Sequence, residues 1–186
     1  LVVDPDMHTL LITGGSLGAL NVNRAMVKVA AELPGGVQVV HLTGKGKDQE
    51  VRDAVKAAGV ADRWHVIDYL STMEDALAVA DLVVCRSGAG TVAEMTALGL
   101  PCVYVPLPIG NGEQKLNAAD HVAQGGALLV ADHDLTADYV RGTIFPLPGS
   151  EKLSEMTIAS RALARPDGAQ QLADLIESTL QKKEQK

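Results

Sequence analysis

Cys85-Arg86-Ser87-Gly88-Ala89-Gly90-Thr91-Val92-Ala93-Glu94 carries an apolar run through a turn of small residues and directly into a helical pattern. The run it closes, Leu82–Cys85, is continuously apolar. That is the mark of a strand covered on both faces, as in a parallel sheet. Glycines in the turn allow close backbone approach. The free N–H groups of Gly88 to Thr91 can surround a diphosphate in the field of the helix dipole. Glu94 falls at the edge of the first helical turn. A carboxylate there can accept hydrogen bonds from vicinal ribose hydroxyls, but Thr91-x-x-Glu94 is also a capping box, and spacing weighs the two equally. Arg86 reads as a phosphate partner or as a surface cation. The helix stops at Gly99, just before Pro101.

The alternation extends in both directions. Further strands are expected at Thr9–Thr13, Val37–Thr43, Trp64–Asp68, Cys102–Val105 and Ala127–Val130. Between them, Val22, Met26, Val29 and Leu33 share one helical face, and Val51, Ala54, Val55 and Ala58 another. Met73, Ala76, Leu77 and Ala80 form a third stripe, opened by the capping-box pattern Ser71-x-x-Glu74. A fifth helix is expected over Gln114–Gln124. Strand–helix alternation repeated roughly five times implies right-handed crossovers and an α/β, Rossmann-like parallel sheet of about six strands with helices on both faces. Three helical segments follow, over Thr136–Ile144, Ser150–Ala164 and Asp167–Leu180. In the last, Asp167 is the expected N-cap and Ala169, Leu172, Ala173, Ile176 and Leu180 the apolar stripe. With no repeat or linker, residues 1–181 read as a single domain and residues 182–186 as a polar tail.

Composition narrows the function classes. A chain of 186 residues suits one domain, and 47% hydrophobic with 21% charged residues excludes disorder. Lys plus Arg is 16 against 23 Asp plus Glu, a formal charge of −7 with no basic block. Nucleic acid and electrostatic docking on an anionic membrane are both disfavoured. At 3% the aromatics are too few for base-stacking platforms. No apolar run reaches the span of about eighteen residues that a bilayer requires. The N-terminus, Leu1-Val2-Val3-Asp4-Pro5-Asp6, has no signal-peptide pattern and no initiator Met, which suggests an excised fragment. Cys85 and Cys102 lie in apolar runs and read as buried thiols of a reducing compartment. His8, His41, His65, His121 and His133 show no ligand spacing, so no metal site is expected.

In such a sheet ligands sit beyond the carboxyl ends of the strands. The loops of interest are Gly14–Gly18, Gly44–Lys47, Tyr69–Thr72, Arg86–Thr91 and Pro106–Gln114. Gly14-Gly15-Ser16-Leu17-Gly18 departs from a dinucleotide fingerprint, because Ser16 replaces the second glycine and no acid ends the second strand. Neither this loop nor Gly44-Lys45-Gly46-Lys47 is a P-loop. Its G-x-S-x-G spelling also fits a nucleophile elbow, which would need Ser16 with Asp132 and His133. Phosphate or sugar contact is the preferred reading over a bare turn, and the hydrolase ranks below both. Gln114-x-x-Asn117 opens a helix; amide side chains suit sugar hydroxyls because they both donate and accept, though a solvated helix start is the simpler reading.

Taken together, Gly14-Gly15-Ser16-Leu17-Gly18-Ala19, Asp81 through Glu94, Gly99-Leu100-Pro101 with Val105-Pro106, and Gln114-x-x-Asn117-Ala118 resemble the MurG family. That family transfers N-acetylglucosamine to lipid I in bacterial peptidoglycan synthesis. The match in order and spacing runs from about Thr9 to Val130. The resemblance implies a GT-B architecture of two Rossmann-like domains, of which this chain looks like the C-terminal, donor-binding one.

The resemblance also implies roles. Leu70 would contact uracil through its backbone, and Ala89, Gly90, Thr91 and Val92 would line the diphosphate with main-chain amides. Ala93 belongs to the same segment. Glu94 would hold the ribose, Ser16 would sit against the diphosphate, and Gln114 would meet the N-acetylglucosamine hydroxyls. Gly15, Arg86, Ser87, Gly88 and Asn117 are additional candidates. Leu17 stands where the family usually has Gln, and the Arg expected upstream of the first strand is absent. The acceptor site for lipid I, the general base and the membrane-facing patch would belong to a missing N-terminal domain, so no catalytic residue is expected in this chain. The expected partner is UDP-N-acetylglucosamine, with no metal and no cofactor. The implied location is cytoplasmic, peripheral to the inner membrane. A UDP-sugar epimerase of the same architecture, a serine hydrolase at Ser16 and a non-catalytic nucleotide-binding module are the alternatives.

Overall fold

The computed structural model describes residues 3–15, 18–109, 111–164, 168, 170, 171 and 173–177. The chain runs β1 (His8–Thr13), α1 (Leu20–Val27), β2 (Val37–Leu42), α2 (Gln49–Ala57), β3 (Trp64–Ile67), α3 (Met73–Ala78) and β4 (Leu82–Cys85). It continues through α4 (Ala89–Leu98), β5 (Cys102–Tyr104), α5 (Glu113–Asn117), α6 (Ala119–Ala123), β6 (Ala127–Leu129), α7 (Ala137–Tyr139) and α8 (Glu151–Leu163). All the strands pair in parallel in the order β3-β2-β1-β4-β5-β6. The order reverses between β1 and β4, with Leu11 beside Val83 and Thr13 beside Cys85. α1 and α4 therefore depart to opposite faces and leave a crevice between their N-termini.

Alternate residues of each strand feed two cores. Leu10, Ile12, Val39, Val84 and Val103 pack with Val22 and Met26 of α1, Val51 and Val55 of α2, and Leu153 and Met156 of α8. On the other face Leu11, Val40, Val83 and Tyr104 pack with Ala76, Val92, Met95 and Ala118. Burial on both faces is why the strands are continuously apolar.

Two buried polar networks brace the layers. His41 Nε2 bonds Asn23 Oδ1 at 3.0 Å, Trp64 Nε1–H donates to His41 Nδ1 at 3.3 Å, and Asn23 Nδ2 donates to the Thr43 carbonyl at 3.0 Å. Burial pushes the His41 imidazole down to about 3, so it is neutral. In the second, the Tyr104 hydroxyl donates to His121 Nδ1 at 2.9 Å, and His121 Nε2 donates to Ser160 Oγ at 2.7 Å. The Ser160 hydroxyl in turn donates to the Gly126 carbonyl at 3.0 Å. Burial lowers the pKa of His121 as well.

The strand reading holds to within a residue or two at each end, and four details change. α3 starts at Met73 with Thr72 as N-cap and no side-chain cap, so the Ser71–Glu74 capping box does not form. The fifth helix is broken at Ala118 into α5 and α6. The segment expected over Thr136–Ile144 begins as α7, capped by the Thr136 hydroxyl, but widens into a π turn over Val140–Ile144. Asp167, Ala169, Leu172 and Leu180 lie outside the described residues, as do residues 182–186. Ala173 and Ile176 are exposed, so the described part of the last stripe does not face the core.

Candidate functional site

A cleft of about 470 Å³ opens beyond the carboxyl ends of β1 to β4. That is within the usual range for small-molecule sites. Gly14, Gly15 and Gly18 supply the wall after β1, Tyr69 and Leu70 the wall after β3, and Gly88, Thr91 and Glu94 the start of α4. Gln114 of α5 closes one side. Gly18, at φ +67°, is wedged so tightly that an added Cβ would lie 2.1 Å from the Thr43 carbonyl oxygen. Ser16 lies outside the described residues. A second cavity of about 300 Å³ lies at the opposite edge, near His8, Asp81 and Arg161. Its hydroxyls, on Ser150, Ser154 and Thr157, are all spent on backbone carbonyls.

The turn after β4 makes the chemistry. α4 starts at Ala89, with Gly88 as N-cap, no side-chain cap and no acidic residue in its first turn. Among the described residues its first amides, Ala89 to Thr91, have no protein partner, and they carry the positive end of the helix dipole. Helix N-termini of this kind take anions. The Val92 amide is already bonded to the Gly88 carbonyl at 2.9 Å, and the Val92 side chain packs in the core. The expected set of free amides narrows to Ala89, Gly90 and Thr91. Ala93 is exposed and off the cleft wall.

This start also corrects the Thr91–Glu94 capping box. Thr91 sits inside the first turn and Glu94 beyond it, so Glu94 caps nothing. Its carboxylate is exposed on the cleft wall. It forms no hydrogen bond or ion pair among the described residues.

Three further candidates make hydrogen bonds within the protein. Arg86, 14% exposed at its side chain, donates to Asp132 Oδ1 at 2.5 Å and to the carbonyls of Val105 and Pro106 at 3.0 and 3.3 Å. It touches the cleft wall but is neither a free phosphate ligand nor a surface cation. Ser87 is fully buried, and its N–H donates to Gln114 Oε1 at 3.3 Å. Asn117 Nδ2 donates to the Ser87 carbonyl at 3.1 Å. Gln114 Oε1 also accepts from the Leu107 amide at 2.9 Å, so only its NH2 group is left to meet a ligand. Neither Ser87 nor Asn117 lines the cleft.

The hydrolase arrangement finds no support. The Asp132 carboxylate is committed to Arg86 and to Asn21 Nδ2, and His133 is 81% exposed beside Asp134. Cys85 lies beneath the cleft, where a hydrogen bond with Cys102 and burial push its thiol up and keep it protonated. Among the described residues no group of three His, Cys, Asp or Glu comes together to hold a metal. No helix among them is long and apolar enough to cross a membrane.

Sequence reading overlooked Met73, which lines the cleft, and gave no role to Leu107, a lining residue inside the Pro106–Gln114 loop already of interest. Met73 was absorbed into a core stripe. Its place one turn past a strand's carboxyl end was the signal for a double role. Tyr69, 57% exposed at the rim, lay in a loop already of interest but carried no motif.

Residues 9–172 match the family described as Glycosyltransferase family 28 C-terminal domain, and the chain belongs to that family. It is 53% identical over 157 residues to the UDP-N-acetylglucosamine--N-acetylmuramyl-(pentapeptide) pyrophosphoryl-undecaprenol N-acetylglucosamine transferase of Bifidobacterium adolescentis, covering 77% of this chain and 40% of that protein. The protein of the same name from Paenarthrobacter aurescens is 44% identical over 178 residues, 95% of this chain and 47% of its own length. The chain thus spans less than half the length of these relatives. Among solved structures, MurG from Acinetobacter baumannii superposes with a TM-score of 0.81 at 28% identity, over 92% of this chain and 50% of that one. A UDP-N-acetylglucosamine 2-epimerase from Listeria monocytogenes shares the fold, with a TM-score of 0.65 at 18% identity over 95% of this chain and 46% of that one.

Proposed function

We propose that this chain is the donor-binding half of an inverting N-acetylglucosaminyltransferase, and that it holds UDP-N-acetylglucosamine. One observation carries the reading: the start of α4, which has no side-chain cap, the Glu94 carboxylate and Leu70 line a single cleft. The amides of Ala89, Gly90 and Thr91 take the diphosphate, Glu94 the ribose, Leu70 the uracil edge, and the Gln114 NH2 group a sugar hydroxyl. Gly15, in the turn after β1, faces the diphosphate, and Ser16 is assigned to the same ligand.

In the complete enzyme, the muramoyl 4-hydroxyl of lipid I attacks the anomeric carbon with inversion. The bond to the diphosphate breaks and UDP leaves with the electron pair. Negative charge grows on the leaving diphosphate oxygen in that step. The helix N-termini of α1 and α4 stabilise it without reorganising, because their dipoles are fixed by the fold. The acceptor site and the base lie outside this chain in this reading, and the product is lipid II. The enzyme works on the cytoplasmic side of the bacterial inner membrane, with membrane contact made outside this domain. No metal and no redox cofactor takes part.

Titration with UDP-N-acetylglucosamine, UDP, ADP and NAD, followed on the amide resonances of residues 88–94, tests the reading. The uridine ligands should perturb them and compete with each other. Equal competition by ADP would refute a base edge read by hydrogen bonds, since a mismatch leaves polar groups unpaired at a cost of about 1–3 kcal/mol. Full-length protein that epimerises the nucleotide sugar without any lipid acceptor would transfer the assignment to the epimerase class.

A further inference from the structure

We propose that Asn23 is a positioning residue: it holds the Thr43 carbonyl against Gly18 and so aims the glycine turn after β1 and the start of α1 at the diphosphate, without touching the ligand. The proposal rests on the donor-binding reading above. Asn23 lies one turn into α1, where its N–H donates to the carbonyl of Ala19, the residue after Gly18, at 2.9 Å. It is 2% exposed and is not part of the cleft wall, whereas Gly14, Gly15, Gly18 and Gly44 are.

The partners of Asn23 fix the direction of its amide. His41 Nδ1 accepts from Trp64, so the neutral ring carries its proton on Nε2 and donates to Asn23 Oδ1. That turns Asn23 Nδ2 to the Thr43 carbonyl, 3.0 Å away. The same carbonyl oxygen is the atom against which Gly18 is wedged, and Gly44, on the other side of that peptide, lines the cleft. Thr43 is held to β3 through its N–H and its hydroxyl, which both donate to the Ile67 carbonyl, at 3.0 and 3.3 Å. The glycine turn has two hydrogen bonds of its own, from the Gly15 N–H to Thr13 Oγ1 at 3.3 Å and from the Gly18 N–H to the Gly15 carbonyl at 2.8 Å. Both are internal to the β1–α1 connection. Its seat on the exit of β2 is set where the Gly18 wedge and the Asn23 amide meet at one oxygen. Loss of the Asn23 donor releases that oxygen, and the turn seated on it shifts.

The test is a set of titrations of this chain and its Asn23→Ala and Asn23→Leu variants with uridine, UDP and UDP-N-acetylglucosamine, alongside melting curves. Asn23→Leu refills the volume without a donor, so it separates the hydrogen bond from packing. Ser160→Ala is the control for stability alone: it breaks the other buried network, none of whose members lines the cleft. Both Asn23 variants should bind UDP and UDP-N-acetylglucosamine equally more weakly, by about three- to tenfold, the worth of one neutral hydrogen bond. Uridine, which has no phosphate, should bind within about twofold of wild type. Ser160→Ala should melt lower and bind all three ligands as the wild-type chain does. Should the Asn23 variants fail to fold, the side-chain amide resonances of Asn23 in the wild-type chain are read instead, and they should shift with UDP and not with uridine. Wild-type UDP affinity in either Asn23 variant, a parallel loss of uridine, a loss confined to UDP-N-acetylglucosamine or an equal loss in Ser160→Ala would overturn the proposal. So would Asn23 resonances that ignore UDP. Absence of UDP binding by the wild-type chain would overturn the donor-binding reading and the proposal together.

Discussion

The Arg86 guanidinium donates to the Asp132 carboxylate at 2.5 Å across 46 positions of sequence, with the side chains only 14% and 16% exposed. Asn21, in the first turn of α1, bonds the same carboxylate at 3.1 Å. The pair therefore ties the exits of β4 and β6 to the helix on the far side of the crevice. Arg86→Met removes the donor to Asp132 and to the carbonyls of Val105 and Pro106. It should lower the unfolding free energy by roughly 2–3 kcal/mol, because charged partners are left unmatched. UDP affinity should change less than about threefold. Denaturant melts with a UDP titration check this. A stable variant that has lost UDP binding would return Arg86 to the phosphate.

Glu94 carries the opposite forecast. Because α4 begins at Ala89, neither Glu94→Gln nor Glu94→Ala removes a cap. Both should leave the midpoint of thermal unfolding nearly where it was, since exposed substitutions away from such features cost within about 0.5 kcal/mol. As a ribose ligand, Glu94→Gln turns one acceptor oxygen into a donor and removes charge assistance. Binding of UDP-N-acetylglucosamine should weaken by about tenfold or more. Wild-type affinity in calorimetry of Glu94→Gln would remove the ribose assignment.

The glycines after β1 should separate strain from collision. Gly15 has φ +77° with nothing within 4 Å of an added Cβ, so Gly15→Ala should cost about 1–2 kcal/mol of left-handed strain alone. At Gly18 the same substitution adds a backbone collision 2.1 Å from the Thr43 oxygen. That variant should lose more, about 3 kcal/mol or above, because strand and turn must both shift. Equilibrium unfolding of the two variants side by side ranks them. Equal losses would mean that the turn is not wedged against β2.

Acid should weaken the fold through its buried imidazoles. Burial holds His41 down at about 3 and lowers His121, while both titrate near 6.5 once unfolded. Below that ordinary value the unfolded chain binds protons that the folded chain refuses. Stability conferred by these groups is complete above pH 6.5 and falls as pH drops, down to about 3 for His41. The expected slope approaches about 1.4 kcal/mol per pH unit for His41, and His121 adds to it in the same direction. Glu32, Asp48 and Glu50, whose carboxyls Arg141, Arg52 and Arg24 lower by hydrogen bonding, act only below the carboxylate range. Urea melts between pH 7 and 5 thus isolate the histidines. His41→Gln should flatten the profile there by one proton, and an unchanged slope would contradict the assignment.

The sheet was legible because every strand is buried on two faces, and such burial writes itself as unbroken apolar runs such as Leu82–Cys85. The start of α4 was not. Thr91 and Glu94 spell a capping box, yet the N-cap falls three residues earlier, on Gly88, which supplies no side-chain bond. A local pattern lost to backbone geometry. The role of Arg86 was hidden for a different reason: its partner follows β6, two strands along the sheet and 46 positions along the chain, and nothing in the intervening sequence points to it. Gln114 and Asn117 were noticed for the right chemistry. Amides that donate and accept can serve a sugar, but they serve a peptide bond equally well. Distance alone reveals that their first commitment is to Ser87.

All six strands share one direction, so the molecule has a working end and a handling end. The Pro34–Gly36 turn that feeds β2 lies at the latter, across the full length of the strands from the cleft. Gly35 there is exposed and has nothing within 4 Å of an added Cβ, while both native thiols are buried. Gly35→Cys would give maleimide chemistry a single accessible target. A sensor surface loaded through that position would present every molecule cleft outward, in one orientation.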